Sequence, residues 1–438
     1  MKITIITSTV RPDGTMVEML YQPEEQNTTF AIYRDNQVEY ANELVLNEEE
    51  SLAPLPSTSD IVKNQVILLP SEATDYGTDA ELIQTVRGFI HSYLQVNPLF
   101  EQIACYYILL TWVYRRFNEL PYLRALGDYG TGKSRFLKVI GSLCYKAIFA
   151  NGAITTSPIF RIIELCHGTL ILNEADFAET DVWSDMTKIL NNGFETGFPV
   201  LRSEAIGKNF EVKTFDVFGP KVLGARNHFE DKALESRFIT EEMDNAALRE
   251  DIPINLPEKF ADEARAIRNQ LLMWRFRNYH AIKLNPELIN RSIEPRLNQI
   301  LVPLCSIITD QGLIKDITEL IKQMNSQIVK DRGMSREAET LEAILKLQAT
   351  SATDPTVKDI CERFNEGKAD REQVTNRKIG YWVREKLGLT LERTESGYTL
   401  PFAANNNKLV KLASRYGLTV TTPVDVQDIH NVQDLFAK

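Results

Sequence analysis

The first 45 residues alternate apolar and polar positions in short runs: Ile3 and Ile5, then Met16–Tyr21, then Thr29–Tyr33. Turn signals at Pro12-Asp13-Gly14 and Asp35-Asn36 separate these runs, and the spacing predicts a small β-rich domain. Residues 47–60 (NEEESLAPLPSTSD) are acidic, then rich in Pro and Ser, and read as a linker, so this first region takes 1–60. A helical lead-in follows, with Thr78 and Glu81 as a capping box ahead of the stripe Leu82, Ile83, Val86, Ile90 and Leu94. From Pro121 the pattern becomes short apolar runs between helices: YLRALG, AIFAN, TLILNEAD, PKVLGARN and SRFITEEM. Runs of this kind predict an α/β core, a parallel sheet with helices on both faces. Lead-in and core together take 61–245, and residues 246–334 read as a helical region.

A further module covers 335–402 and is followed by a polar tail, 403–438. In that module Glu339–Leu347, Thr356–Phe364 and Asp370–Leu387 are predicted helices, the second opened by Asp354-Pro355. LTLERTESGYTL then reads as a hairpin turning at Glu395-Ser396-Gly397.

Composition narrows the class. The chain has 438 residues, too many for one ordinary core, and suggests about three domains. With 43% hydrophobic and 25% charged residues it has the profile of a soluble globular protein. The N-terminal apolar stretch alternates with Thr and reads as a strand, not a signal peptide. Ile103–Val113 is well short of the roughly 20 residues a membrane span needs, so no membrane partner is expected. Five scattered cysteines, never in a CxxC pair, point to a reducing cytoplasm without disulfides or a zinc site. The net charge of −11 argues against a protein that coats nucleic acid, but leaves room for a local basic ring or groove.

The chemistry lies in Gly127-Asp128-Tyr129-Gly130-Thr131-Gly132-Lys133-Ser134, a complete G-x-x-x-x-G-K-[ST] loop. Glycines let backbone N–H groups turn inward around phosphates, Lys133 reaches the β- and γ-phosphates, and the Ser134 hydroxyl holds Mg²⁺. The loop falls between a predicted strand and a predicted helix, whose N-terminus adds a favourable dipole, so ATP with Mg²⁺ is the expected ligand. The acidic partner of such a loop is an apolar strand ending in carboxylates. Thr169–Leu172 supplies that strand, with Asn173 where Asp is usual and Glu174 as the base that polarises water. Asn173 can still hydrogen-bond a metal-bound water. Asp176 either compensates for the missing charge or caps the next segment.

Three further stretches, in chain order, resemble the AAA+ ATPases. PKVLGARN ends in Asn227, at the position of their polar sensor residue. Ala233-Leu234-Glu235-Ser236-Arg237-Phe238 resembles the Leu-x-Ser-Arg-Phe segment of the minichromosome maintenance (MCM) helicases, which implies that Arg237 reaches a neighbouring subunit's ATP. Ser292–Arg296 opens a helix where AAA+ lids carry a second sensing arginine, implying Arg296, with Arg265, Arg268 and Arg291 as competitors. Residues 198–213 read as two strands turning around Gly207, and MCM and superfamily 3 viral helicases insert a pore hairpin here, with Lys208 at the tip in this chain. Three helices and a hairpin in 335–402 match the winged helix in which MCM-type helicases often end. Its basic third helix offers Arg377 and Lys378 to DNA, although Ile379, Trp382 and Val383 show that one face is core and winged helices also bind protein. The resemblance covers about 120–310. It implies an AAA+ core with helical lid, β-rich N-terminal domain and C-terminal winged helix, acting as a homo-oligomeric ring of about six subunits that moves along DNA, single-stranded in the pore, during replication of a mobile or viral element. A nucleotide-switched DNA-binding initiator or loader, or a regulatory scaffold acting on protein, are the alternatives that Asn173 raises.

Overall fold

The computed structural model describes residues 2–150, 156–173, 181–206, 209–244, 248–351, 353–395 and 397–418. The N-terminal region is β-rich: β1 (Lys2–Ile6), β2 (Ser8–Val10), β3 (Met16–Gln22), β4 (Asn27–Arg34), β5 (Gln37–Ala41), β6 (Leu44–Val45) and β7 (Glu50–Pro54). Strands β2 to β5 form an antiparallel sheet in chain order, while β7 pairs in parallel with β1 and antiparallel with β6. Strand β7 occupies part of the stretch that reads as a linker. Its ladders use main-chain groups against β1 on one side and β6 on the other, which an acidic sequence can still supply, and Pro54 falls at the strand's last residue.

The core strands are β8 (Tyr122–Leu126), β9 (Ile148–Ala150), β10 (Leu170–Leu172), β13 (Lys221–Ala225) and β14 (Phe238–Glu242), in the order β14-β8-β13-β10-β9. Every pairing in this sheet is parallel. Strands β8, β10 and β13 are buried along their whole length, as an apolar run between two helical layers requires. Between β10 and β13 the antiparallel hairpin β11 (Val200–Ile206) and β12 (Asn209–Phe215) is inserted.

Helix Asp79–Tyr93 starts at the Thr78/Glu81 capping box, and helix Pro98–Val113 is buried on nearly all sides. The helices of 246–334 are Phe260–Asn278, Pro295–Cys305 and Gln311–Gly333, but 248–259 and most of 279–294 are irregular. Pro253, Pro257 and Pro286 remove the donors a continuous helix needs there.

The chain divides into two compact units, Met1–Ile321 and Lys322–Lys438. The β-rich start falls within the first unit. A buried polar cluster explains why. The Tyr145 hydroxyl donates to Glu18 on β3 at 2.8 Å, Arg275 from helix Phe260–Asn278 donates to the same carboxylate at 2.8 Å, and the Lys146 ammonium lies 3.4 Å from it. All four side chains are buried, and burial pulls the Lys146 pKa down to about 8. Separating the sheet from the core would strand charges in a low-dielectric interior.

In the second unit, helices Arg336–Thr350, Val357–Asn365 and Asn376–Tyr381 precede the hairpin β15 (Glu392–Thr394) and β16 (Gly397–Thr399). The third helix begins at Asn376, because Asp370–Glu372 forms its own 3₁₀ turn, and it continues through a wider turn, Trp382–Lys386. Residues Phe402–Tyr416, which read as tail from their polarity, form a helix that buries Leu409, Leu412 and Ala413. The buried Asn405 side chain exchanges hydrogen bonds with the Thr390 backbone at 2.8 and 3.0 Å and so ties this helix to the approach of the hairpin.

Candidate nucleotide site

Strand β8 ends at Leu126, and the chain turns at Gly127 towards helix Lys133–Gly141. The turn needs glycine. A Cβ on Gly127 would sit 2.4 Å from the Met243 carbonyl oxygen, and Gly130 and Gly132 take φ of 79° and 93°. A Cβ on Gly130 would meet nothing within 4 Å, so the loop leaves open space on its crest. The Lys133 ammonium donates to the carbonyl oxygens of Gly127 at 2.6 Å and Asp128 at 2.5 Å, and the Thr131 hydroxyl donates to Asp128 at 2.9 Å. Ser134 is exposed in the first turn of the helix. Glycines in left-handed geometry, a lysine folded over its own loop and an exposed hydroxyl at a helix N-terminus form a donor set that fits a polyphosphate.

The loop borders a cleft of about 350 Å³ whose walls include Leu94, Gln95, Gly132, Arg135, Glu241 and Met243. That volume lies within the usual range for small-ligand sites. Arg135 anchors one wall by donating to the carbonyls of Pro253, at 2.6 Å, and Ile254. Glu241 accepts from the Asn97 backbone at 2.6 Å, and burial raises its pKa above the ordinary carboxylate value.

The sheet order decides what faces the loop. Strand β13 lies beside β8, and β10 lies beyond β13, so both present their carboxyl ends on the loop's side. Asn173 follows β10 directly, and its N–H donates to Ala150 at 3.0 Å. Asn227 is exposed two residues past the end of β13. Glu174, Asp176 and Lys208 lie outside the described residues. Of the residues expected to hold a divalent ion, Ser134 and Asn173 are described, and a phosphate ligand would add its own oxygens. A further pairing has no counterpart in the motif: the Arg226 guanidinium lies 3.8 Å from the Tyr129 ring centroid and donates to its hydroxyl. Nothing in a phosphate-loop pattern marks the second variable residue as an arginine partner.

The two arginines implied by the resemblance are at the other end of the sheet. The Arg237 carbonyl accepts from Tyr122, the first residue of β8, whereas Gly127 follows the last, so strand β8 separates them by about 15 Å. Arg237 is 8% exposed, donates to Asn191 and, at 3.4 Å, to the Leu190 carbonyl, and lies 5.2 Å from the Phe194 ring centroid. Burial lowers its pKa. Arg296, at the start of helix Pro295–Cys305, lies 5.8 Å from that same ring and donates to Ala233 at 3.4 Å. Arg296 thus joins Arg237 and does not reach the loop of its own chain. Two of its competitors are engaged elsewhere: Arg268 is buried against the Leu69 and Ser142 carbonyls, and Arg265 pairs with Glu24 and Asp262.

In the second unit Arg377, Lys378, Arg384 and Lys386 are exposed, and Ile379, Trp382 and Val383 are buried. The exposed face also carries Tyr381, 48% accessible, and Tyr398 on β16, 46% accessible, with Arg384 5.3 Å from the Tyr398 ring. The cations of this face stand out in the charge pattern of the sequence, whereas its tyrosines do not. No described helix is long and apolar enough to cross a membrane.

No family model matches the sequence, and no curated protein matches it. Among solved structures, the apo C-terminal region of NrS-1 is similar at 12% identity over 88% of this chain and 96% of that one, with a TM-score of 0.37. The JCV helicase is similar at 12% identity over 61% and 65% of the two chains, with a TM-score of 0.25. Likeness this distant does not define the fold, which rests on the sheet order and the glycine loop.

Proposed function

We propose that the chain is an ATPase of the AAA+ type that drives a ring along DNA, related in kind to the MCM and superfamily 3 helicases. One observation carries this reading. Strand β13, which leads to Asn227, lies between the strand that leads into the phosphate loop and the strand that leads into Asn173, the order that a sensor between loop and acidic strand requires. Lys133 and the loop amides hold the phosphates, and Glu174 accepts a proton from the attacking water while Asn227 orients it. A divalent ion held by Ser134, Asn173 and Asp176 would neutralise phosphate charge.

Arg237 and Arg296 act on the ATP of the next subunit, since their own is a strand length away. Around a closed ring each chain then supplies one half of two sites. The hairpin β11–β12, with Lys208 at its turn, grips the strand in the pore, and Arg377 and Lys378 meet duplex outside it. The discriminating test is the ATPase rate with and without single-stranded DNA, together with strand displacement. Hydrolysis stimulated by DNA and coupled to displacement is expected. A second reading, a nucleotide switch that binds DNA without unwinding, is favoured by Asn173 in place of an acid, which weakens the metal's hold. ATP binding with hydrolysis indifferent to DNA and no displacement would select it.

A further inference from the structure

Lys221 is the first residue of β13 and is 1% exposed. Its ammonium donates to three carbonyl oxygens: Gly219 at 2.8 Å, Val217 at 3.0 Å and Gly193 at 3.2 Å. Gly193 precedes the excursion that carries the hairpin, and Val217 and Gly219 are where that excursion returns. A Cβ on Gly193 would fall 2.3 Å from the Lys221 Nζ and 2.4 Å from the Val217 oxygen, so glycine is required for the two roots to meet. The N–H of Gly219 donates to Gly193 at 3.2 Å and closes the same junction. A buried cation is costly, and an apolar side chain would fill this place more simply. An ammonium, with three donors on one atom, can gather three carbonyls at a point.

The junction has two neighbours that matter. The first residue after Gly193 is Phe194, on whose ring Arg237 and Arg296 both rest. Strand β13 itself runs from Lys221 to Ala225, next to Arg226 and Asn227. The roots of the hairpin are thus joined to the strand of one nucleotide site and to the arginines that face another.

We propose that Lys221 is a positioning residue that makes the hairpin follow nucleotide state, by clasping both of its roots to β13 and to Phe194. It touches no nucleotide and no DNA. The proposal rests on the motor reading above, and its tests separate the two. In Lys221→Met, ATP affinity and basal hydrolysis stay within about twofold of the parent, while DNA-stimulated hydrolysis and strand displacement fall about tenfold, the upper range for a residue acting through coupling. Displacement at the parental rate overturns the proposal, as does a basal rate that falls as far as in Lys133→Ala. The unaltered protein gives an independent reading by hydrogen exchange with a non-hydrolysable ATP analogue. Slowed exchange at 127–134 together with a joint change at 193–196 and 217–219 is expected. Protection at 127–134 with no change at the two roots overturns the proposal, and no protection at 127–134 overturns the nucleotide reading beneath it.

Discussion

The two edges of the parallel sheet present polar groups in opposite ways. At the carboxyl edge the groups are backbone amides and small side chains in the open: Gly132, Ser134 and Asn227 are exposed, and Tyr129 is 73% accessible. At the amino edge they are long cations drawn inside, Arg237 at 8% and Lys221 at 1% exposure, laid on aromatic rings and main-chain carbonyls. Backbone recognition needs only a glycine loop of the right shape. A guanidinium held among rings is different. It is poorly hydrated, its pKa is lowered by burial, and a phosphate in bidentate contact would replace weak neutral partners with a charge-assisted pair. The first edge has the geometry to receive an anion, whereas the second keeps its cations inside.

The largest effect tests the receiving edge. Lys133→Ala removes the only side-chain cation of the glycine loop, and hydrolysis should fall to background with loss of nucleotide binding, as read by a phosphate-release assay and a fluorescent ATP analogue. Normal turnover in that variant would mean the loop is structural. Next comes the amino edge. A trans arginine is worth on the order of 10³–10⁵ in rate in other phosphoryl-transfer systems, so Arg237→Ala should bind ATP and barely hydrolyse it. Mixing it with Glu174→Gln subunits should restore activity, because some interfaces then pair two intact halves. Arg296→Ala sharpens the contrast. Placed beside Arg237 on Phe194, it should complement Glu174→Gln and fail to complement Arg237→Ala. Recovery in the last mixture would instead place Arg296 in its own subunit's site.

A smaller effect concerns what holds Arg237 in place. Two residues before it, Glu235 accepts from the buried Arg124 on β8 at 2.8 Å. Burial pushes the Glu235 carboxyl up, but Arg124 and His228 outweigh it and hold it at about 2, against 4.5 when free. The native state therefore binds fewer protons than the unfolded chain between those values, and this contribution to stability is complete above about pH 4.5 and lost as the pH falls towards 2. Glu235→Gln leaves Arg124 buried without its counter-charge and should cost about 3 kcal/mol in urea unfolding at pH 7, with a smaller loss at pH 3. Equal losses at both pH values would show that packing, not charge, fixes this turn.

Legibility follows the same division. The carboxyl edge can be read because glycine, lysine and serine at fixed spacing have few other uses, and because fully buried strands are continuous apolar runs. The amino edge is opaque in detail. Arg237 is recognisable through its segment, but that Arg296 shares a ring with it, or that Lys221 gathers carbonyls from 193 to 219, depends on neighbours far apart in the chain. Local composition also misleads where main-chain groups or few apolar residues are enough. The strand Glu50–Pro54 lies in a linker-like stretch. The helix Phe402–Tyr416 is masked by the amide run Asn405-Asn406-Asn407, although Leu409, Leu412 and Ala413 have helical spacing. Glu174 and Asp176, which bear most directly on Asn173, are outside the described residues.

The smallest effect should leave both edges untouched. Arg377 and Lys378 are exposed on the helix Asn376–Tyr381, and this unit has its own core, in which Ile379, Trp382 and Val383 are buried. Replacing both cations by Ala removes charge without opening that core, so melting should barely change. If they meet phosphates, duplex affinity should fall and the slope of log affinity against log salt should shrink by about 0.9 for each phosphate no longer neutralised. The chain carries a net charge of −11, so any cations that grip DNA must be concentrated, and their removal should be visible despite their small number. Basal ATPase and the complementation between Arg237→Ala and Glu174→Gln should persist. Tyr398→Ala in the same background distinguishes stacking from charge, since loss of a stacked base weakens binding with little change in salt slope. Titrating a fluorescent duplex at several salt concentrations measures both. An unchanged slope in the double variant would assign this face to a protein partner and leave the hairpin as the proposed DNA contact.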